Sequence, residues 1–260
     1  MRVHVLDYWF SDSRPIRSLQ IRMLNQAVRR GGRGAHMSTS PSMQQFMKEK
    51  LSIPNIVISN CCDFPEEPRK VSPPSSSGLS ILYAGNLTPN RYVTLSMLAA
   101  EIQKRGLTQL TMDVYAPQEQ VDAFAERMDS SIHLHPAVAA KEVAGILAKA
   151  DVLLHAESFK PADRKFAMYS LSTKIAEYVS VLKPIVYYGP MEIGVARFLS
   201  EYGIGLASDD VDFIVSGLQR LMEDPSFYLQ HIHTNLDKSR ELFGTPQVQR
   251  RLFECLGQKG

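Results

Sequence analysis

The sequence predicts an α/β protein built on a doubly wound parallel sheet, and three observations lead there. From Leu79 onward, short apolar runs alternate strictly with amphipathic stretches. The runs are near-continuous in Val, Ile and Leu, as strands buried on both faces are. A Pro- and Ser-rich stretch, PEEPRKVSPPSSSG, stands just before this pattern begins. It has no apolar periodicity and reads as a linker over 64–78. The chain therefore divides into a partial domain over 1–63, the linker, a doubly wound domain over 79–240 and a C-terminal helix over 241–260.

The elements follow in order. Met1 to Phe10 alternates and carries Val, Leu and aromatics, so a strand is expected. Ile16 to Arg30 has helical periodicity and is stopped by Gly31 and Gly32. Ala35 to Ser40 is short and small. Ser40 as N-cap and Pro41 at the first helical position start a helix through Leu51. Ile56 to Ser59 reads as a strand and Asn60 to Asp63 as a turn. Beyond the linker, strands are expected over 79–84, 110–115, 132–134, 152–155, 185–188 and 204–206. Helices are expected over 91–105, 118–128, 141–150, 172–182, 193–201 and 211–222, with more helix to the C-terminus. Ala156 to Leu171 reads as one polar loop, of a length that in α/β units is functional or disordered.

Composition narrows the function classes. Apolar residues make up 44% of the 260, enough for a full core, and the net charge of +2 gives no reason to expect a nucleic-acid partner. Arg29, Arg30 and Arg33 form a basic cluster, either a solvated helix end or a contact with an anionic membrane surface. Cys61 and Cys62 are adjacent and Cys255 is distant, without C-x-x-C spacing, which suggests reduced thiols in a cytoplasmic protein. No apolar run reaches the roughly 18 residues of a membrane span. The N-terminal apolar run is broken at Asp7 and makes a poor signal peptide. There is no G-x-G-x-x-G and no Walker A pattern. His133, His135 and His155 lie on or beside strands without zinc-site spacing, so no metal is expected, and His155 reads as a pocket liner.

Doubly wound sheets bind ligands at the carboxyl ends of their strands. Those ends are Gly85-Asn86, Tyr115-Ala116, His155 to Phe159 and Tyr188 to Pro190. The helix beginning Ser172-Thr173-Lys174 offers hydroxyls and backbone N–H groups at its positive end, where phosphate binds most easily. Lys174 can neutralise phosphate charge; Arg164 and Lys165 either do the same or are solvated. Glu177 is either a solvated face residue or a carboxylate that accepts from a ribose. Gly85 lets a backbone approach a ligand, and Arg91 can reach a phosphate with two N–H groups; a plain turn is the alternative.

These residues also carry a family likeness. Lys174-Ile175-Ala176-Glu177-Tyr178, then Lys183-Pro184-Ile185-Val186, resembles the K-x-x-E-Y and K-P-V/I-V signature of GT-B glycosyltransferases of the glycosyltransferase group 1, family 4-like, type. Ser40 to Met43, Ile58 to Asp63, Leu82 to Leu87, Ala150 to Leu154, Gly203 to Gly205 and Asp224-Pro225 resemble its other elements in order and spacing. The resemblance implies the GT-B fold, with a Rossmann-like donor domain after a partial acceptor-side one. It implies transfer of a sugar from a nucleotide-diphosphate donor to a polysaccharide or lipid-linked acceptor, without metal or cofactor. Ser172, Thr173 and Lys174 would hold the diphosphate and Glu177 the ribose. Gly85, Asn86 and Arg91 would add phosphate contacts. Tyr115, His155 and Tyr169 would line the donor pocket. Asp7, within a stretch similar to H-x-x-D-x-W, would act with Arg91 and Lys174 in catalysis.

Two departures stand out. The family's E-x7-E motif puts its first acid at position 169, where this chain has Tyr169, and Ser170 and Ser172 replace glycines. Residues 1–63 resemble only the second half of an acceptor-side domain. The expectation is a chain lacking the first part of that domain, with a partner chain completing it. The alternative is a non-catalytic nucleotide-sugar-binding module or a subunit of a split enzyme. The expected location is cytoplasmic, with a peripheral place at the inner membrane face as the variant.

Overall fold

In a computed structural model of the chain, the described residues are 3–5, 35–51, 55–64, 72–74 and 78–255. The helix expected over 16–30, the arginines 29, 30 and 33, and Asp7 lie outside them.

Among the described residues, nine strands form two parallel sheets. The first joins β1 (Val3–Val5), β2 (Ala35–Ser38) and β3 (Ile56–Val57) in that order. β2 was not anticipated, because Ala-His-Met-Ser has no β-branched residue to mark it. Helix α1 (Pro41–Leu51) starts as expected: the Ser40 hydroxyl accepts from the Met43 N–H at 3.0 Å, and Pro41 takes the first helical position. Met43 and Met47 are its buried side chains.

The second sheet holds β4 (Leu79–Ala84), β5 (Leu110–Ala116), β6 (Ile132–Pro136), β7 (Val152–Ala156), β8 (Ile185–Tyr188) and β9 (Leu206–Ser208). Their spatial order is β6-β5-β4-β7-β8-β9, all parallel. The chain thus winds outward from β4 to β6, then returns to β4 and winds the other way. The winding reverses between β4 and β7, and a parallel sheet opens a ligand crevice at that point. Every residue of β7 and β8 is buried, as central strands covered on both faces must be.

Two apolar layers flank this sheet. One face packs Leu79, Ile81, Val152 and Leu154 against α2 (Arg91–Lys104), α8 (Val211–Glu223) and α9 (Pro225–Phe243). The other packs Leu82 and Leu153 against α4 (Ala140–Lys149), α6 (Lys174–Ser180) and α7 (Gly194–Tyr202). The remaining helices are α3 (Gln118–Phe124), continued by a 3-10 turn, α5 (Pro161–Ala167) and α10 (Thr245–Cys255). Local signals set several ends. Gly203 closes α7 in the left-handed conformation (φ 61°), which costs a glycine little. Asp224 caps α9 by accepting from the Ser226 and Phe227 N–H groups, with Pro225 next.

Two expectations near the crevice need correction. Ala156 to Leu171 is not one loop: Pro161 starts α5 within it. The helix expected over 172–182 is the seven-residue α6, which neither Ser172 nor Thr173 caps by its side chain. Thr173 has helical backbone angles, whereas a capping residue is extended.

The register of β4 on β7 runs through Ile81 with Val152 and Leu82 with Leu153. Beyond it the Tyr178 hydroxyl, from α6, accepts from the Ala84 N–H at 3.2 Å and donates to the Leu154 carbonyl at 3.3 Å. It replaces the next rung of the ladder while letting the strand ends part. Tyr178→Phe leaves a buried N–H and a buried C=O unpaired, so stability should fall by about 1–3 kcal/mol. Urea unfolding measures this; an unchanged midpoint and slope would contradict the role.

Candidate active site

The crevice between the carboxyl ends of β4 and β7 collects four charged or ionisable side chains. Lys174, the first residue of α6, runs beneath the turn that follows β4. Its ammonium lies 5.0 Å from the centre of the Tyr83 ring, over the ring face. A Cβ at residue 85 would overlap Nζ and Cε of Lys174, so only glycine allows this approach. Gly85 also takes a φ of 154°, and its N–H donates to the Tyr115 carbonyl at 2.8 Å. No carboxylate among the described residues makes an ion pair with Lys174. Burial first, and the Arg91 guanidinium second, push its ammonium from 10.5 down to about 8.

Arg91 opens α2 but does not wait free for a phosphate. Its Nε and Nη2 donate to the two oxygens of Glu157, both at 2.9 Å, and its Nη1 donates to the Thr88 carbonyl. Glu157, only 7% exposed, follows β7 directly. It also faces the buried His155 across 3.2 Å between Oε1 and Nε2. Thr94 fixes its backbone, donating its hydroxyl to the Glu157 carbonyl at 2.9 Å. Burial pushes the Glu157 carboxyl up, but the hydrogen bond with His155 and the charge of Arg91 outweigh it and hold the group at about 2. Burial holds His155 below its ordinary 6.5, so the neutral ring, with Nε2–H donating to Glu157, is the consistent tautomer.

A second polar link ties the same two loops. Asp163 of α5 accepts from the Asn90 amide and from the Ser158 hydroxyl, both at 2.7 Å. Arg164, a candidate phosphate partner, instead pairs with Glu192 and donates to the Phe159 carbonyl.

The remaining expected residues divide. Glu177 is exposed, and its carboxylate accepts no hydrogen bond from the described residues. Its charge is felt by Cys62, whose thiol is pushed up to about 12, mainly by burial. Tyr115 stacks on His135 at 4.7 Å, and His135 meets Asp113 at 2.7 Å. Asn86 is exposed, with its carbonyl held by the Tyr83 hydroxyl at 2.6 Å. Tyr169 packs on Phe46 of α1 at 4.6 Å, and its carbonyl accepts from the Ser40 hydroxyl. It joins α1 to the segment before α6, and those contacts with the N-terminal part do the packing that an acid there could not. Glu157 went unread in the sequence. The one signal for it is that His155 and Glu157 continue the strand's alternation onto one face.

No protein-family model matches the sequence, and no curated protein does. Solved structures do. HepE of Anabaena, solved with UDP-glucose, superposes with a TM-score of 0.68 at 15% identity, over 98% of this chain and 71% of its own. A variant of TarM from S. aureus, solved with fondaparinux, alpha-GlcNAc-glycerol and UDP, gives 0.67 at 10% identity, over 98% and 50%. The chain has the GT-B glycosyltransferase fold. Sucrose-phosphate synthase from Thermosynechococcus elongatus shares it, at 0.64 and 12% identity, over 98% and 67%. The chain thus spans half of TarM and 71% of HepE. Among the described residues, no helix is long and apolar enough to cross a membrane.

The paired Glu157 makes the GT-B fold of this chain sensitive to acid in a defined window. Its folded value lies below the ordinary 4.5, so its stabilising contribution is complete above 4.5 and is lost as pH falls towards 2. That contribution is on the order of 3 kcal/mol for such a depression. Glu157→Gln should flatten the stability–pH curve between those limits; urea unfolding at several pH values measures it, and parallel curves for the two proteins would contradict the assignment.

Proposed function

We propose that the chain is a glycosyltransferase, taking a sugar from a nucleoside-diphosphate donor and passing it to a carbohydrate or lipid-linked acceptor. One observation carries the reading. Lys174 holds an ammonium packed under Gly85 at the switch point, with no carboxylate among the described residues paired to it. Keeping that charge costs on the order of 3 kcal/mol at neutral pH, judged by its fall from 10.5 to about 8. An arriving diphosphate supplies the missing counter-charge and recovers that cost.

The other groups fit the same ligand. The exposed Glu177 carboxylate, one helical turn beyond Lys174, is free to accept from ribose hydroxyls. Tyr115, stacked on His135 at the neighbouring strand end, stands beside the base. Arg91 keeps two N–H groups beyond those used by Glu157 and Thr88, and turns them to the phosphates. When the bond from the sugar carbon to the diphosphate oxygen breaks, its electron pair stays on oxygen. Lys174 stabilises the charge that develops there.

A second reading is a nucleotide-sugar-binding module that does not itself transfer. It draws on Tyr169, which packs against Phe46 where the family's first acid would face the donor. Binding with no transfer to any acceptor would favour it.

Titration with UDP, GDP and ADP at pH 7 tests the donor site. Lys174→Met should weaken the best of them at least tenfold, or about 1.4 kcal/mol. In the wild type the ammonium must be protonated to bind. Affinity should therefore hold below pH 8 and fall roughly tenfold per pH unit above it. No binding of any of the three, or a Lys174→Met protein that binds as well, would end this reading.

A further inference from the structure

The pairing of Arg91 with Glu157 has a consequence for which ligand the site prefers. Arg91 and Lys174 bring two positive charges to the crevice, and Glu157 is the carboxylate paired with the first of them, with Asp163 and Glu177 the further acids whose charges the two cations feel. Glu157 is not incidental there. It is buried, accepts both parallel N–H bonds of Arg91, meets His155 and is fixed through its carbonyl by Thr94. A buried ion pair of this kind seldom gains stability over an apolar pair of similar volume, so stability alone does not account for it.

Transfer changes the ligand's charge. The donor's diphosphate is esterified at both ends. When the sugar leaves, the bond to the terminal phosphate oxygen breaks and the electron pair stays behind. The acceptor oxygen bonds the sugar and releases its proton to solvent. The product diphosphate is therefore more negative than the donor. A site with two uncompensated cations would hold that product more tightly than the donor.

We infer that Glu157 is a specificity-determining residue of the diphosphate site, whose negative charge offsets the two cations so that the more highly charged product leaves while the donor is held. The inference rests on the donor-site reading above. Glu157 need not touch the ligand; it acts through Arg91 and through the field at Lys174.

Calorimetric titration at low salt tests it. The probes are whichever of UDP, GDP and ADP the wild type binds, and the matching glucose-linked donor. Glu157→Gln keeps the size and a hydrogen bond to Arg91 but removes the charge. It should bind the diphosphate about tenfold tighter and the donor by a smaller factor, with kcat lowered and donor KM not raised. Glu157→Asp keeps the charge and should retain the wild-type ratio of the two affinities. A merely structural residue would weaken both ligands in both variants. The inference is overturned if folded Glu157→Gln, checked by thermal unfolding, binds the diphosphate no tighter than wild type, or if the two variants shift the ratio alike. Should Glu157→Gln not fold, the double change with Arg91→Gln restores the net charge. It should keep the wild-type ratio within about threefold; a larger shift overturns the inference. Failure of the donor-site reading looks different, because the wild type would then bind none of the probes.

Discussion

Beyond Leu82 and Leu153 the parallel strands β4 and β7 part, and the Tyr178 hydroxyl takes up the backbone groups the parting exposes. The crevice depends on this wedge. Without it, Ala84 N–H and Leu154 C=O would have to close on each other or stay unpaired in an apolar layer. With it, the strand ends diverge and the loops after them are free to carry charge. Tyr178 also sets α6 against the sheet, which places Lys174, one turn earlier on the same helix, beneath Gly85. Wedge, glycine and lysine thus form one mechanical unit.

Electrostatics then divides the site into a closed part and an open part. Arg91, Glu157 and His155 are linked through the Glu157 carboxylate and tie the loop after β4 to the loop after β7. Asn90, Asp163 and Ser158 repeat the tie, with Asn90 and Ser158 next in sequence to Arg91 and Glu157. Lys174 and Glu177 stay open, a cation and an anion on one face of α6 with no carboxylate or donor among the described residues to absorb them. A nucleoside diphosphate carries the complementary pair, anionic phosphates and hydroxyl donors on the ribose.

Much of this fold can be read from the sequence, because the central strands are apolar on both alternations and the helices between them carry clear stops such as Gly203 and clear starts such as Asp224-Pro225. β2 hides because Ala-His-Met-Ser carries no β-branched residue and forms a strand by pairing with β1 and β3. α5 hides because its polar sequence looks like loop, and Pro161 at a helix start looks like Pro in a turn. At the candidate site, the strand–turn–helix order singles out Gly85, Lys174 and Glu177, and the resemblance adds the roles expected of them. Arg91 is legible as a cation but not as a paired one, since its partner Glu157 lies 66 residues away. Tyr169 reads as a departure from an acid; only the packing shows that it answers to Phe46 on α1 instead.

On this account Lys174 is a half-buried cation without a paired carboxylate among the described residues. Its side-chain carbon resonance, followed by NMR through a pH titration with and without UDP, GDP or ADP, addresses that claim at the atom concerned. The free protein should titrate near 8 at this residue, and the bound protein should titrate higher, because the anion stabilises the charged form. A value near the ordinary 10.5 in the free protein, or one that no nucleotide moves, would contradict it.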